Sequence, residues 1–362
     1  MCSSDLTGQP KGVMVTDAMF RASAYGAVRL GGLREVVDVV DERREAAARE
    51  VRQGLGLELA DDRGLLLHGA RPQGRAAHRR TEGHEEPQVH LGLRSGPDPD
   101  DVKAVAHLLL KAECPVIHAG QGVLYAEASE ELVKLAEQLQ IPVMTTNTGK
   151  SAFPEHHPLA LGASTGSAPK GVFHFLKKAD LVIGIGASFT INPWTPKIPP
   201  GKRLVHITND PSDMHKERGN VASILGDAKL VLQALIDEIG SAKRKAGDVA
   251  AEVRAVREEW LQEWMPELTS NETPINQFRI VHDALNAVDR ANTIVTHEAG
   301  SPREQLVTFW ESRTPRGYLG WGKSTQLGHG LGLIMGAKIA NPSKLCMNFM
   351  GDASIDRKST RL

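Results

Sequence analysis

Strand-like and helix-like segments alternate along residues 97–240, and that order restricts the fold more than any other feature of the sequence. Asp98-Pro-Asp-Asp101 is a helix start, with acids in the first turn where the helix dipole favours them, and the helix runs to about Ala112. Pro115 to Ala119 reads as a strand opening into Gly120-Gln-Gly122, and Ser129 to Gln140 as a helix that turns Leu132, Leu135, Ala136 and Leu139 inward. Ile141 to Thr145 is the next strand, Lys170 to Lys178 a helix, and Asp180-Leu-Val-Ile-Gly-Ile-Gly186 a strand that is apolar without alternation. Such a strand is buried on both faces, as in a parallel sheet. Arg203 to Thr208 is another strand, Ile224 to Gly226 a short one, and Asp227 to Ile239 a helix. This succession predicts an α/β fold built on a central doubly wound, Rossmann-like parallel sheet.

A length of 362 residues suits two or three domains. The central α/β domain spans 96–240. Residues 241–271 form a linker, a charged helix from Ser241 to Pro266 with Trp260 and Trp264 one turn apart to dock on a neighbour. Residues 272–362 open a last domain: Thr273-Pro-Ile275, a helix to Val288, a strand Thr293 to Thr296, an exit turn His297 to Pro302 and a helix Glu304 to Trp310. Residues 1–95 are different. Thirteen arginines and no lysine lie between Gly12 and Val102. A helix is expected from Leu33 to Arg52, and loop or disorder from Asp61 to Arg94. Two accounts compete, a natural disordered extension and a gene fragment whose frame has slipped, and the arginine bias favours the second.

The net charge of −1 gives no electrostatic basis for a nucleic-acid partner. Cys2, Cys114 and Cys346 are far apart and odd in number, which fits a reducing cytoplasm rather than a disulfide framework. No apolar run reaches the roughly 18 residues that span a bilayer. Gly120-x-Gly122 and Gly184-x-Gly186 each sit at a strand end where a dinucleotide pyrophosphate could rest, yet neither completes G-x-G-x-x-G, and tight strand exits explain them as well. His156 and His157 are adjacent, so their side chains diverge, and they read as solvated loop rather than metal ligands.

One further stretch carries chemistry. Leu327-Gly-His-Gly-Leu-Gly-Leu-Ile-Met-Gly-Ala-Lys338 reads as a helix ending at Asn341-Pro342, with Gly328, Gly332 and Gly336 on one face. Each mid-helix glycine costs about 1 kcal/mol against alanine, so something is expected to approach that face closely. The apolar run Leu345 to Met350 follows as a buried strand and ends at Gly351-Asp352-Ala353-Ser354, a carboxylate on a turn of small residues. Ligands gather at the carboxyl ends of strands in α/β sheets. Free N–H groups on such a turn suit phosphate oxygens, and an aspartate there suits Mg²⁺.

These residues resemble the start of the cofactor motif of thiamine-diphosphate enzymes of the acetolactate synthase, pyruvate oxidase and benzoylformate decarboxylase group. That motif opens with Gly-Asp-Gly or Gly-Asp-Ala and closes with an asparagine further on; here the sequence ends ten residues after Asp352. The central block is similar to that group's middle domain through Pro115 to Gly120, Lys150 to Pro154, Asp180 to Gly184 and Gly226-Asp227. The resemblance implies thiamine diphosphate with Mg²⁺ on Asp352, and a cofactor pocket drawn from His297, Glu298, Leu327, Gly351, Ala353 and Ser354. Leu327 stands where relatives place a bulky apolar residue under the cofactor's bent middle. His297 and Glu298 are also candidate acid/base groups. The implied activity is decarboxylation or carboligation of a small 2-oxo acid, by a homodimer or homotetramer in the full-length family. Residues 1–95 show no counterpart of the glutamate that holds the cofactor's pyrimidine, so this polypeptide is expected to be inactive or nearly so. The alternative is a non-catalytic FAD- or nucleotide-binding module resting on the central domain.

Overall fold

The computed structural model describes residues 12–15, 94–191, 198–321, 327–352 and 354. The expected helix from Leu33 to Arg52, the loop beyond Asp61 as far as Leu93, and Ala353 lie outside those residues.

Six parallel strands form the larger sheet: β2 (Pro115–Ala119), β3 (Val143–Thr145), β4 (Ala160–Ala163), β5 (Leu181–Ile185), β6 (Arg203–Thr208) and β7 (Ala222–Leu225). Their order is β4-β3-β2-β5-β6-β7, so the chain reverses its direction of growth between β2 and β5. The strands pair in parallel throughout. Helices α1 (Pro99–Lys111), α2 (Gln121–Tyr125), α3 (Ser129–Leu139), α4 (Lys170–Lys178) and α5 (Ala228–Ile239) connect them. The pleat decides which helix covers which face. Ile117, Ile183 and Val205 point to one side, where Val105 and Leu109 of α1, Leu132 and Leu135 of α3 and Val231 and Leu235 of α5 bury them. Their neighbours Val116, Val182 and Leu204 point to the other, against Val172 and Phe175 of α4. Each such side chain taken fully out of water contributes about 1.5–3 kcal/mol. The apolar run without alternation in β5 is the direct consequence of being sandwiched.

At the reversal point the backbones touch. A Cβ on Gly120 would lie 2.1 Å from the carbonyl oxygen of Gly186, which itself sits at φ +58°. Each glycine turn is filled by the other, so these turns let two strand exits cross.

A second sheet holds β1 (Gly12–Val15), β8 (Thr293–His297), β9 (Tyr318–Leu319) and β10 (Leu345–Gly351) in the order β1-β10-β8-β9. β8 runs parallel to both β10 and β9, and β1 pairs antiparallel with β10. Helices α7 (Gln277–Ala287), α8 (Ser301–Phe309) and α9 (His329–Ala340) flank it. The protein is thus α/β, with parallel strands covered by helices in both sheets.

Two expectations change. The linker helix α6 spans Val249–Leu268 rather than starting at Ser241. Gly247 precedes it, and Asp248 caps it by accepting the Ala251 N–H at 2.9 Å. Upstream, buried Arg244 donates to the carbonyls of Leu139 at 3.0 Å, Glu113 at 2.8 Å and Gln140 at 2.8 Å, which holds that segment out of helix. Trp260 and Trp264 do dock: Trp260 stacks on Phe309 at 5.1 Å, and Trp264 meets Phe278 and Phe309 edge-on. The glycine stripe differs too. Among the described residues, nothing outside the helix's own backbone lies within 4 Å of where a Cβ on Gly332 or Gly336 would stand, and both are exposed. The close approach falls on Gly330 instead.

Candidate functional site

The site is built where β8 and β10 end side by side. Phe349 of β10 is in register with His297 of β8, and the Glu298 N–H donates to the Phe349 carbonyl at 2.8 Å. His297-Glu298 and Gly351-Asp352 therefore leave the sheet at the same edge. The start of α9 packs against His297 and Glu298.

His297 is fully buried and stacks on Trp321 with ring centroids 5.2 Å apart and planes 15° apart. The Trp321 indole donates to the His297 carbonyl at 2.9 Å, and Tyr318 flanks the imidazole at 5.8 Å. Burial, with smaller contributions from the charges of Arg303 and His329, pulls its pKa down to about 3. It is neutral at ordinary pH. Among the described residues, neither its buried Nε2 nor Oδ1 of Asn348 on β10 has a hydrogen-bond partner.

Glu298 is also fully buried. Its Oε2 accepts the Gly328 N–H at 2.8 Å, and its Oε1 accepts the Leu331 N–H at 3.2 Å. Burial raises its pKa, opposed by these backbone N–H groups, that of Gly330 and the Asn348 side chain. The sequence offers α9 no cap of its own, since Gly328 stands at the cap position with φ +81°. The carboxylate from β8 supplies one. Gly330 must be glycine for the same reason: a Cβ there would lie 2.6 Å from the His297 carbonyl oxygen, 2.7 Å from Asn348 Oδ1 and 2.9 Å from Glu298 Oε1.

Leu327 is half-buried just ahead of Gly328. Gly351 is half-buried, Asp352 is exposed at the turn and Ser354 is buried. The structure thus brings His297, Glu298, Gly351 and Ser354 to the edge shared by β8 and β10, and Leu327 to it through α9. Sequence reasoning passed over Trp321, Gly330 and Asn348. A lone asparagine inside the apolar run Leu345 to Met350 was the available signal, because a buried amide needs partners.

Other features lie apart. A cavity of about 670 Å³ is bounded by Lys170, Phe173, Trp264, Phe278 and Glu304 and lined by none of the residues predicted to hold the cofactor. His157 Nε2 is 3.1 Å from Glu137 Oε1, a local fastening beside exposed His156. Among the described residues, no three His, Cys, Asp or Glu side chains converge as a metal cluster.

The buried histidines make stability depend on pH. His118, at the end of β2, is brought down to about 4 by burial and by the nearby charge of Arg218, and its Nε2 is 2.8 Å from the Ser164 hydroxyl. Because both folded-state values are depressed, the unfolded chain takes up protons near 6.5 while the fold does not. Stability is therefore complete above pH 6.5 and falls as pH drops toward 4. His118→Gln should flatten that slope by about one proton, roughly 1.4 kcal/mol per pH unit. Urea unfolding at pH 7, 6 and 5 measures it, and parallel slopes for the two chains would contradict it.

Comparison with known proteins gives two family matches. Residues 102–235 match the thiamine pyrophosphate enzyme central domain, and residues 298–356 match the C-terminal domain that binds thiamine pyrophosphate. The chain is similar to a probable acetolactate synthase large subunit of Methanocaldococcus jannaschii, 33% identical over 278 residues, covering 73% of this chain and 45% of the relative. It is similar to another from Methanococcus aeolicus, 30% identical over 267 residues, 70% of this chain and 44% of the relative. A 3D-(3,5/4)-trihydroxycyclohexane-1,2-dione hydrolase of Bacillus cereus is 29% identical over 293 residues, 74% of this chain and 45% of the relative. The chain spans about half the length of these relatives.

Proposed function

Because the chain belongs to the thiamine pyrophosphate enzymes, carrying matches to their central and cofactor-binding domains, we propose that it derives from an acetolactate-synthase-like decarboxylase or carboligase of small 2-oxo acids. The observation that carries the reading is the shared edge of β8 and β10, where the exposed Asp352 on a small-residue turn and the buried His297-Glu298 leave the sheet in register. The donor set fits the cofactor. Mg²⁺ commonly takes one or two carboxylates and completes its octahedron with phosphate and water oxygens, and Asp352 supplies such a carboxylate. The backbone at Gly351, Ala353 and Ser354 would meet the diphosphate. Gly300 opens α8 at the same edge with φ +91° and no side-chain cap, and the positive end of that helix would favour an anion. Leu327 would bear the cofactor's middle, and neutral His297 would wall the pocket.

When bound, thiamine diphosphate supplies the electron sink for loss of CO₂ from a 2-oxo acid and for joining the remaining unit to a second carbonyl. The chain's part is to hold the ion, shape the pocket and keep water from its buried wall. We read residues 96–240 as the central domain, 241–271 as the linker and 272–362 as cofactor-binding domain, in a cytoplasmic protein that works as a homodimer or homotetramer. The open face of α9, where Gly332, Met335, Gly336 and Ile339 are exposed, suits a helix from a second copy. No helix among the described residues is long and apolar enough to cross a membrane.

Thermal unfolding tests the reading. Thiamine diphosphate with Mg²⁺ should raise the melting temperature, because a ligand that binds only the fold stabilises by about 2.7 kcal/mol at a hundred times its Kd. A rise with FAD or ADP alone would contradict it.

A further inference from the structure

The Glu298 carboxylate is used up by the protein itself. One oxygen takes the Gly328 N–H at 2.8 Å and the other the Leu331 N–H at 3.2 Å. Its main chain is held as firmly, with the N–H on the Phe349 carbonyl at 2.8 Å and the carbonyl oxygen 3.2 Å from His297 Nδ1. A carboxylate in this state has no donor to offer a phosphate, and its charge would repel one. It does suit the positive end of α9. The residue it grips is Gly328, left-handed at φ +81°, and the residue before Gly328 is Leu327. With the helix start pinned from β8 and Gly330 wedged against His297, Asn348 and Glu298, Leu327 has little freedom to move along the α9 axis.

We infer that Glu298 is a positioning residue, which pins the start of α9 and so sets where Leu327 stands beneath the cofactor, without touching the cofactor. This rests on the reading of the pocket given above. It departs from assigning Glu298 as a cofactor ligand or an acid/base group.

The test uses the full 362-residue chain and the variants Glu298→Gln, Glu298→Ala, Leu327→Ala and the double alanine variant. Backbone amide exchange without ligand comes first. Glu298→Ala should speed exchange at Gly328 and Leu331 by about tenfold or more while β5 stays protected, and Glu298→Gln, whose amide oxygen still accepts, should keep Gly328 protected. Calorimetric titration with thiamine diphosphate and Mg²⁺ comes second. Each single alanine variant should weaken binding by about tenfold, and the double variant no further, because both remove one and the same support. Unchanged exchange at Gly328 in Glu298→Ala would overturn the inference. So would losses that multiply in the double variant, which would mean that Glu298 contacts the ligand independently of Leu327. If the unsubstituted chain gives no heat with thiamine diphosphate, the cofactor reading fails, and the exchange data alone decide whether Glu298 pins the helix.

Discussion

Glu155→Ala is expected to destabilise the fold by about 3–5 kcal/mol, the loss seen when one partner of a buried ion pair is removed. Lys150 is 1% exposed and Glu155 4%, and the ammonium donates to Glu155 Oε1. The other carboxylate oxygen takes the Ser312 N–H at 2.7 Å, while the Glu155 N–H donates back to the Ser312 carbonyl at 2.9 Å. Arg257 donates to the Glu155 carbonyl at 2.7 Å, and Lys150 Nζ lies 5.4 Å from the centre of the Tyr318 ring. One loop after β3 thus joins α6, the segment after α8 and β9. Without Glu155, the Lys150 charge is left buried and unpaired. Burial already lowers the Lys150 pKa, and Glu155 is the main force raising it. The alanine variant should therefore depress it further, so that its stability falls as pH falls. Replacing the pair together, Lys150→Met with Glu155→Leu, should recover most of the loss, since apolar side chains of similar volume often replace a buried pair without penalty. Urea unfolding of the three chains provides the comparison. A single-variant loss below about 1 kcal/mol, the level of an exposed pair, would contradict this account. The same loop braces the site: Asn147 donates to the Trp321 carbonyl at 3.2 Å, and a Cβ on Gly320 would lie 2.2 Å from the Asn147 carbonyl oxygen. Trp321 in turn carries His297.

That pair shows where reading a sequence stops. Lys150 and Glu155 are five residues apart in a loop with no periodicity to announce a pair, and only tertiary packing buries them. The central strands were legible because β5 is apolar along its whole length, and α1 because Asp98 caps it, accepting the Asp100 N–H at 2.8 Å. β4 escaped because Ala160-Leu-Gly-Ala163 has no β-branched residue. β9 is two residues long, and its strand character comes from pairing with β8. The end of β10 was legible from Gly351-Asp352 closing an apolar run. The roles of His297 and Glu298 were not. The partners of Glu298 lie about 30 residues later on a helix start, and no local spacing announces them. The glycine helix misled in an instructive way: a one-in-four stripe implied a packed face, whereas the closest contact belongs to Gly330, off that stripe.

Asp352 carries the second large expectation. Asparagine keeps one oxygen and the size of the side chain but removes the charge that a hard divalent ion needs. Asp352 is exposed, and the parent chain and Asp352→Asn are compared at a temperature where ligand-free unfolding shows both fully folded. Any loss of binding then belongs to the site. Removing even the supporting partners of a metal site typically costs 10–100-fold in affinity, so losing a ligand should cost at least about that much.

Calorimetric titration of thiamine diphosphate into the chain and into Asp352→Asn, each with Mg²⁺ and again with EDTA, is the most direct test. The account predicts binding that requires the metal and that weakens by about a hundredfold or more in the variant. Binding of equal strength in EDTA, or in Asp352→Asn with Mg²⁺ present, would place the cofactor elsewhere and contradict it.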